Sequence, residues 1–150
     1  MKSFTQKLPV AARIVLGLVF FVFGLNGFLH FIPQPAMGPA PGAFMGALHA
    51  SGYLLTLLKA TEVAAGILLL SGLFVPLALT LLAPIIVNII AFHLFLAPGN
   101  FGLLAVILGA ELFLAWTHRA AFAPMLRARA VTTPHEENLP AALQLLRHAA

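Results

Sequence analysis

The stretch YLLTLLKATEVAAGILLLSGLF, residues 53–74, decides the fold class of this chain. At about 1.5 Å per residue, a helix of this length crosses the roughly 30 Å hydrocarbon layer of a bilayer. It nevertheless carries Lys59 and Glu62 near its centre. A charge at the middle of a bilayer costs roughly 2.5–3.5 kcal/mol on insertion scales, so such residues are interpreted first as functional. The stretch therefore predicts a membrane helix that contributes to an internal polar site.

The rest of the chain is equally apolar. It is 61% hydrophobic and 8% charged, against roughly 45–50% and about 25% in an ordinary globular domain. Runs of sufficient length predict membrane helices at residues 10–31, 52–73, 76–96 and 102–117. We expect one membrane domain over residues 1–118 and a short tail over residues 119–150. The predicted fold class is all-α, a four-transmembrane-helix bundle.

The distribution of charge predicts the orientation. Basic residues lie before or in the first turn of the first predicted helix and after the last: Lys2, Lys7, Arg13, Arg119, Arg127, Arg129 and Arg147. The loops 32–51 and 97–101 contain no Lys, Arg, Asp or Glu. By the positive-inside rule both termini are cytoplasmic, N-in/C-in, which agrees with an even number of spans. The basic residues that this rule places in the cytoplasm account for the net charge of +4. We therefore do not interpret the charge as a nucleic-acid-binding surface and expect no nucleic-acid partner. Apolar residues in the tail predict a short amphipathic segment over 139–148 at the membrane surface.

Seven polar side chains inside or at the ends of the predicted helices form the candidate ligand-binding and proton-exchange site. They are Asn26, His30, Lys59, Glu62, Asn88, His93 and Glu111. With the predicted orientation they occupy the midplane and the outer half of the membrane, which predicts a pocket open to the extracytoplasmic side. The proline-rich outer loop is either a connector or, with a short helix over 42–50, a lid over this pocket.

Two details of this site stay open. Five residues separate Asn88 from His93, about 140° on a regular helix; either a kink at Pro84 brings them together, or one of them faces the lipid headgroups. Two buried carboxyls also compete for one ammonium. Lys59 either pairs with Glu62 on its own helix or reaches across to Glu111, and we predict that Glu62 is the charged partner and Glu111 the neutral one.

Three motifs resemble the DoxX family of small membrane proteins. They are GLNGFLHFIP at residues 24–33, KATEVAAG at 59–66 and APIIVNIIAFH at 83–93, and the resemblance extends over residues 8–125. It implies a four-helix bundle in the bacterial or archaeal cytoplasmic membrane, with the seven polar residues as motif positions. Some members of the family are described as quinone-linked subunits of respiratory or sulfur-oxidising complexes. The resemblance assigns no reaction to any residue.

The leading functional hypothesis is an intramembrane site for a quinone or a similar amphipathic small molecule. Imidazole, amide or ammonium donors would hold the carbonyl oxygens, while a buried carboxyl exchanges protons. The chain would then be a non-catalytic or quinone-docking subunit beside partner oxidoreductase subunits; whether it is an enzyme stays open.

Two alternatives stay open: a structural or accessory subunit whose polar residues only fix helix packing, and a small proton-linked transporter acting as a homo-oligomer. With no cysteine in the chain, thiolate metal sites and dithiol chemistry are excluded. No metal site is predicted. Haem on His30 and His93 is not expected, because a histidine near the end of a membrane helix is more often a hydrogen-bonded interfacial residue.

Overall fold

The computed structural model describes residues 2–33 and 36–128, and these residues form helices joined by short links, without strands. The helices in chain order are α1 (Lys2–Leu29), α2 (Pro39–Ala50), α3 (Leu54–Ser71), α4 (Val75–Phe95), α5 (Phe101–Thr117) and α6 (Arg119–Phe122). The amphipathic segment predicted over 139–148 lies outside the described residues. The predicted all-helical fold class is therefore confirmed for this part of the chain.

Three helices are long and apolar enough to cross a membrane: Lys7–Leu29 within α1, and the whole of α3 and α4. Helix α5 is also apolar but has only 17 residues. The outer surfaces of these helices carry large apolar side chains; Val87 is 66% exposed and Leu112 is 61% exposed. A water-soluble monomer does not present so large an apolar surface. The molecule is a membrane protein with several apolar helices.

The predicted helix boundaries differ from the observed ones mainly at the start of α1. This helix begins at Lys2, well before the apolar run that begins at residue 10. Hydrophobicity marks where the hydrocarbon begins, whereas a helix can continue beyond it through polar turns. Helix α2 likewise begins at Pro39, a few residues before the predicted start, because proline suits the first turn of a helix.

Four helices close into a ring. Helix α1 packs on α3 and α5, and α4 packs on the same two helices from the other side. Large side chains from all four helices fill the centre and are almost completely buried: Leu16, Phe20, Leu69, Leu82 and Leu114. The short helix α2 lies outside this ring, against α3.

Glycines bring α1 and α3 into direct backbone contact. A Cβ atom built on Gly66 would lie 2.7 Å from the backbone nitrogen of Phe21, and one built on Gly24 would lie 3.0 Å from the backbone nitrogen of Val63. Small residues allow membrane helices to approach in this way. The two helices run antiparallel, because Gly27 faces Lys59 at one end of the pair while Gly17 lies beside Leu69 towards the other. This register places the polar residues of α3 against the last two turns of α1.

Candidate functional site

Lys59 and Glu62 form an ion pair within α3. The Lys59 Nζ atom donates hydrogen bonds to both carboxylate oxygens of Glu62, at 3.0 Å to Oε1 and 2.8 Å to Oε2. The Glu62 side chain is buried, whereas that of Lys59 is 21% exposed. The structure thus pairs Lys59 with Glu62, which we predicted to be its charged partner. The pair is therefore not fully enclosed, because part of the Lys59 side chain stays exposed.

The glycines of α1 make room for this ion pair. The aliphatic carbons of Lys59 occupy the space where a Cβ atom at Gly27 would lie, and a Cβ atom at Gly24 would lie 3.1 Å from the Cβ atom of Glu62. The backbone of α1 therefore forms one wall of the site. A larger residue at either glycine would push the ion pair away from α1.

Asn26 has a structural role at the end of α1. Its side chain is buried, and its Oδ1 atom accepts a hydrogen bond from the backbone N–H of Ile32 at 2.6 Å. The chain turns here through His30, whose φ of 51° lies in the left-handed region. His30 itself is exposed. Asn26 therefore uses its oxygen to hold the turn after α1, and His30 does not point into the bundle as the pocket hypothesis expected.

Glu111 lies inside the bundle on α5. It is buried and shares one face of the helix with the buried residues Ile107 and Leu114. Its Oε2 atom has no hydrogen-bond partner among the described residues. Buried polar atoms are almost always hydrogen-bonded, and each exception needs an explanation. Glu111 thus adds a hydrogen-bonding group that the packing of the described helices does not use.

His93 and the short helix α2 meet at the end of α4. The Nδ1 atom of His93 donates to the carbonyl oxygen of Ile89 at 2.9 Å, which leaves Nε2 as the free ring nitrogen. Its imidazole packs edge-on against Phe92, and Phe92 contacts Phe44 of α2 with ring centroids 5.6 Å apart. Helix α2 is therefore anchored to the bundle through an aromatic contact, beside the half-buried His93.

Asn88 lies on the opposite side of α4. It is exposed on the outer surface of the bundle, as is Pro84 one turn before it. The structure does not bring Asn88 and His93 together: Asn88 is exposed, whereas His93 is half-buried beside Phe92. The seven predicted residues therefore do not converge. Lys59 and Glu62 lie where α1 packs on α3, Asn26 holds the turn after α1, Glu111 is buried on α5, and the remaining three lie at helix ends or outside.

Part of the site is absent from the seven predicted residues. Gly24 and Gly27 form the wall beside Lys59 and Glu62, and neither was predicted to belong to the site. A signal was present, because glycines at 17, 24 and 27 recur on one face of the first helix at spacings of seven and three. Among the described residues there is no group of three or more His, Cys, Asp or Glu side chains able to hold a metal ion.

Comparison with known proteins gives one match. A family model described as DoxX matches residues 8–95, from the first membrane helix to the end of α4. Glu111 lies beyond the matched residues, and the other six candidate residues lie within them. Neither the comparison with curated proteins nor that with solved structures found a match.

Proposed function

This chain belongs to the DoxX family of membrane proteins, and on that premise we propose that it binds a quinone or a similar amphipathic small molecule inside its helical bundle. One observation carries the proposal: the bundle contains hydrogen-bonding groups that its own helix packing does not use. Glu62 is satisfied by Lys59, but the Lys59 side chain is 21% exposed and the Oε2 atom of Glu111 has no partner among the described residues. A helix-packing role alone requires neither.

The chemistry of these two groups suits a ligand with carbonyl oxygens. The Lys59 ammonium donates hydrogen bonds only, and a protonated carboxyl at Glu111 donates one. An ionised carboxylate without a partner in an apolar core is very costly, which favours the protonated form of Glu111. A quinone has two carbonyl oxygens as acceptors, and its apolar ring and tail suit the leucine and phenylalanine side chains of the bundle. Glu111 would then exchange a proton with the bound molecule.

We also propose the arrangement in the membrane. Helices α1, α3, α4 and α5 would all span it, although α5 at about 26 Å is near the lower length limit. The positive-inside rule places both termini in the cytoplasm of a bacterial cell with the protein in its cytoplasmic membrane. Lys59 would then lie in the outer half of the membrane. Electrons for a bound quinone would come from a partner oxidoreductase subunit.

Extraction of the purified protein tests the proposal. Quinone would be quantified by chromatography in the unaltered protein and in Lys59→Met, with Lys7→Met as the matched control outside the site. We expect Lys59→Met to lower quinone per protein at least tenfold and Lys7→Met to leave it unchanged. The absence of quinone from the unaltered protein, together with no saturable binding of added short-chain quinone, would overturn the proposal.

A structural or accessory role is the second candidate, and a specific observation favours it. Asn26 is engaged with the backbone N–H of Ile32, and Lys59 neutralises Glu62 within one helix, so both act as packing elements. The double variant Lys59→Met/Glu62→Leu separates the two candidates. A packing role predicts a stable double variant that still assembles with its partner subunits, because apolar residues of similar volume often replace a buried ion pair without loss. A binding role predicts a stable variant without ligand.

A further inference from the structure

Asn88 is a polar side chain with no visible partner on the outside of a membrane helix. The hydroxyls of Thr61 and Thr80, in contrast, are satisfied by the backbone of their own helices: Thr61 donates to the Leu57 carbonyl and Thr80 to the Pro76 carbonyl. Asn88 makes no side-chain hydrogen bond within residues 2–33 and 36–128, and it is exposed. It lies about 10 Å from the end of α4, inside the hydrocarbon. Water is absent there, so an unpaired amide is costly.

The residues around Asn88 form an outward stripe on α4, interrupted only at Phe92, where Phe44 of α2 packs. Leu77, Leu81, Pro84, Asn88 and Phe95 are all exposed, and their spacing of four, three, four and seven is the spacing of a helix seam. The inward face of the same helix carries different residues, among them Ala78 and Leu82, which belong to the core. Helix α4 thus has two packing faces, and its own bundle uses only one.

We propose that this outward stripe is the interface of a symmetric homodimer, in which Asn88 hydrogen-bonds to the partner subunit's Asn88 in the hydrocarbon. A primary amide has donors and an acceptor, so two copies can satisfy each other. A two-fold axis along the membrane normal places the same residue of both copies at the same depth. A polar asparagine within an apolar seam is a known device for fixing register and oligomeric state. The inference is independent of the proposed ligand site.

A second copy suits this stripe better than a different membrane protein. A different partner would need its own polar side chain at the depth of Asn88 and an apolar seam in the same register. A second copy supplies both, because it carries the same Asn88 and the same stripe. The stripe also lies on α4 alone, so that two copies can meet along one helix pair without displacing α1, α3 or α5.

Disulfide crosslinking in native membranes tests the proposal, because the chain contains no cysteine. Leu81→Cys places a single thiol on the stripe. Ile67→Cys on α3 and Leu112→Cys on α5 are controls, exposed and at similar depth in the antiparallel bundle. On oxidation with copper phenanthroline we expect a band at twice the monomer mass for Leu81→Cys and at most a weak one for the controls. Equal bands at all three positions, or a Leu81→Cys crosslink only to another protein, would overturn the proposal.

A second experiment tests the role of the Asn88 side chain itself. Asn88→Leu should weaken self-association in liposomes about tenfold, measured by energy transfer between labelled copies as lipid is added. Asn88→Gln, which keeps an amide, should retain most of it. Thermal unfolding of Asn88→Leu should match the unaltered protein, because the exposed side chain has no hydrogen bond to lose within residues 2–33 and 36–128. Unchanged association, or a large loss of folding stability in Asn88→Leu, would show that Asn88 does not act between copies.

Discussion

The backbone of Gly66 lies directly against the backbone of Phe21. A Cβ atom at Gly66 would lie 2.7 Å from the Phe21 nitrogen and 2.9 Å from its Cα atom, closer than non-bonded atoms approach in proteins. Because both neighbours are backbone atoms, no side-chain rotation can relieve the clash. This contact sets the distance between α1 and α3, and through it the position of Lys59 and Glu62 beside Gly24 and Gly27.

Gly66→Ala should therefore destabilise the bundle. We expect a loss of about 1–3 kcal/mol in the free energy of unfolding, the usual cost of overpacking a core. Gly109→Ala on α5 is the matched control, since a Cβ atom there meets nothing within 4 Å; its stability should be unchanged or slightly higher, because alanine favours helix over glycine. Denaturation by SDS in mixed micelles measures both. Equal losses in the two variants would mean that glycine flexibility, and not helix contact, is responsible.

The Lys59–Glu62 ion pair should behave as one energetic unit. Glu62→Gln leaves the ammonium without its carboxylate, and breaking a buried pair costs about 3–5 kcal/mol. Because Lys59 is 21% exposed, we expect a smaller loss of about 2–3 kcal/mol. The double variant Lys59→Met/Glu62→Leu should recover most of it, as measured by the same denaturation. A double variant no more stable than Glu62→Gln would contradict this account.

Glu111 should be protonated in the folded protein at neutral pH. Its Oε2 atom has no partner among the described residues, and the neutral form avoids an unpaired charge in the core. Infrared spectroscopy should show a protonated-carboxyl band that disappears in Glu111→Gln and survives in Glu62→Gln. Glu111→Gln should also unfold within about 1 kcal/mol of the unaltered protein, because glutamine resembles a neutral carboxyl. Persistence of the band in Glu111→Gln would assign the proton elsewhere.

Substitutions at Asn26 and His30 should differ in their effect on stability, although the two residues are only four positions apart. Asn26→Leu leaves the partly buried N–H of Ile32 without an acceptor, which costs about 1–3 kcal/mol. His30→Ala removes an exposed ring and should change the free energy of unfolding by less than about 0.5 kcal/mol. Thermal unfolding in detergent compares the two. A larger loss for His30→Ala than for Asn26→Leu is the contrary result.

The proposed orientation predicts labelling from opposite sides. Single cysteines at Gly42→Cys in α2 and at Ala128→Cys after α6 introduce the only thiols of the chain. An impermeant maleimide should react with Gly42→Cys in intact cells and with Ala128→Cys only after lysis. A control with a permeant maleimide should label both. Labelling of both positions from outside would mean that the number of spans is odd.

The sequence predicts where the helices of this fold lie better than which face of each helix packs inward. The helix predicted over residues 76–96 is found at Val75–Phe95, because a hydrocarbon layer requires an uninterrupted apolar run. Asn88 is different. Every face of α4 is apolar, so no periodicity indicates which side packs inward, and only the contacts with α3 and α5 decide that Asn88 faces out. The role of Asn26 is equally hidden in the sequence, since its hydrogen bond with the backbone N–H of Ile32, six residues later, depends on a left-handed turn at His30.

The ion pair within α3 also bears on how the protein enters the membrane during synthesis. A lysine and a glutamate that found their partners on different helices would cross the translocon as two separate charges, each costing roughly 2.5–3.5 kcal/mol at the helix centre. Lys59 and Glu62 instead neutralise each other one turn apart on the same helix. Helix α3 therefore carries its own counter-ion from the moment it becomes helical. It can partition into lipid before α4 and α5 have left the ribosome.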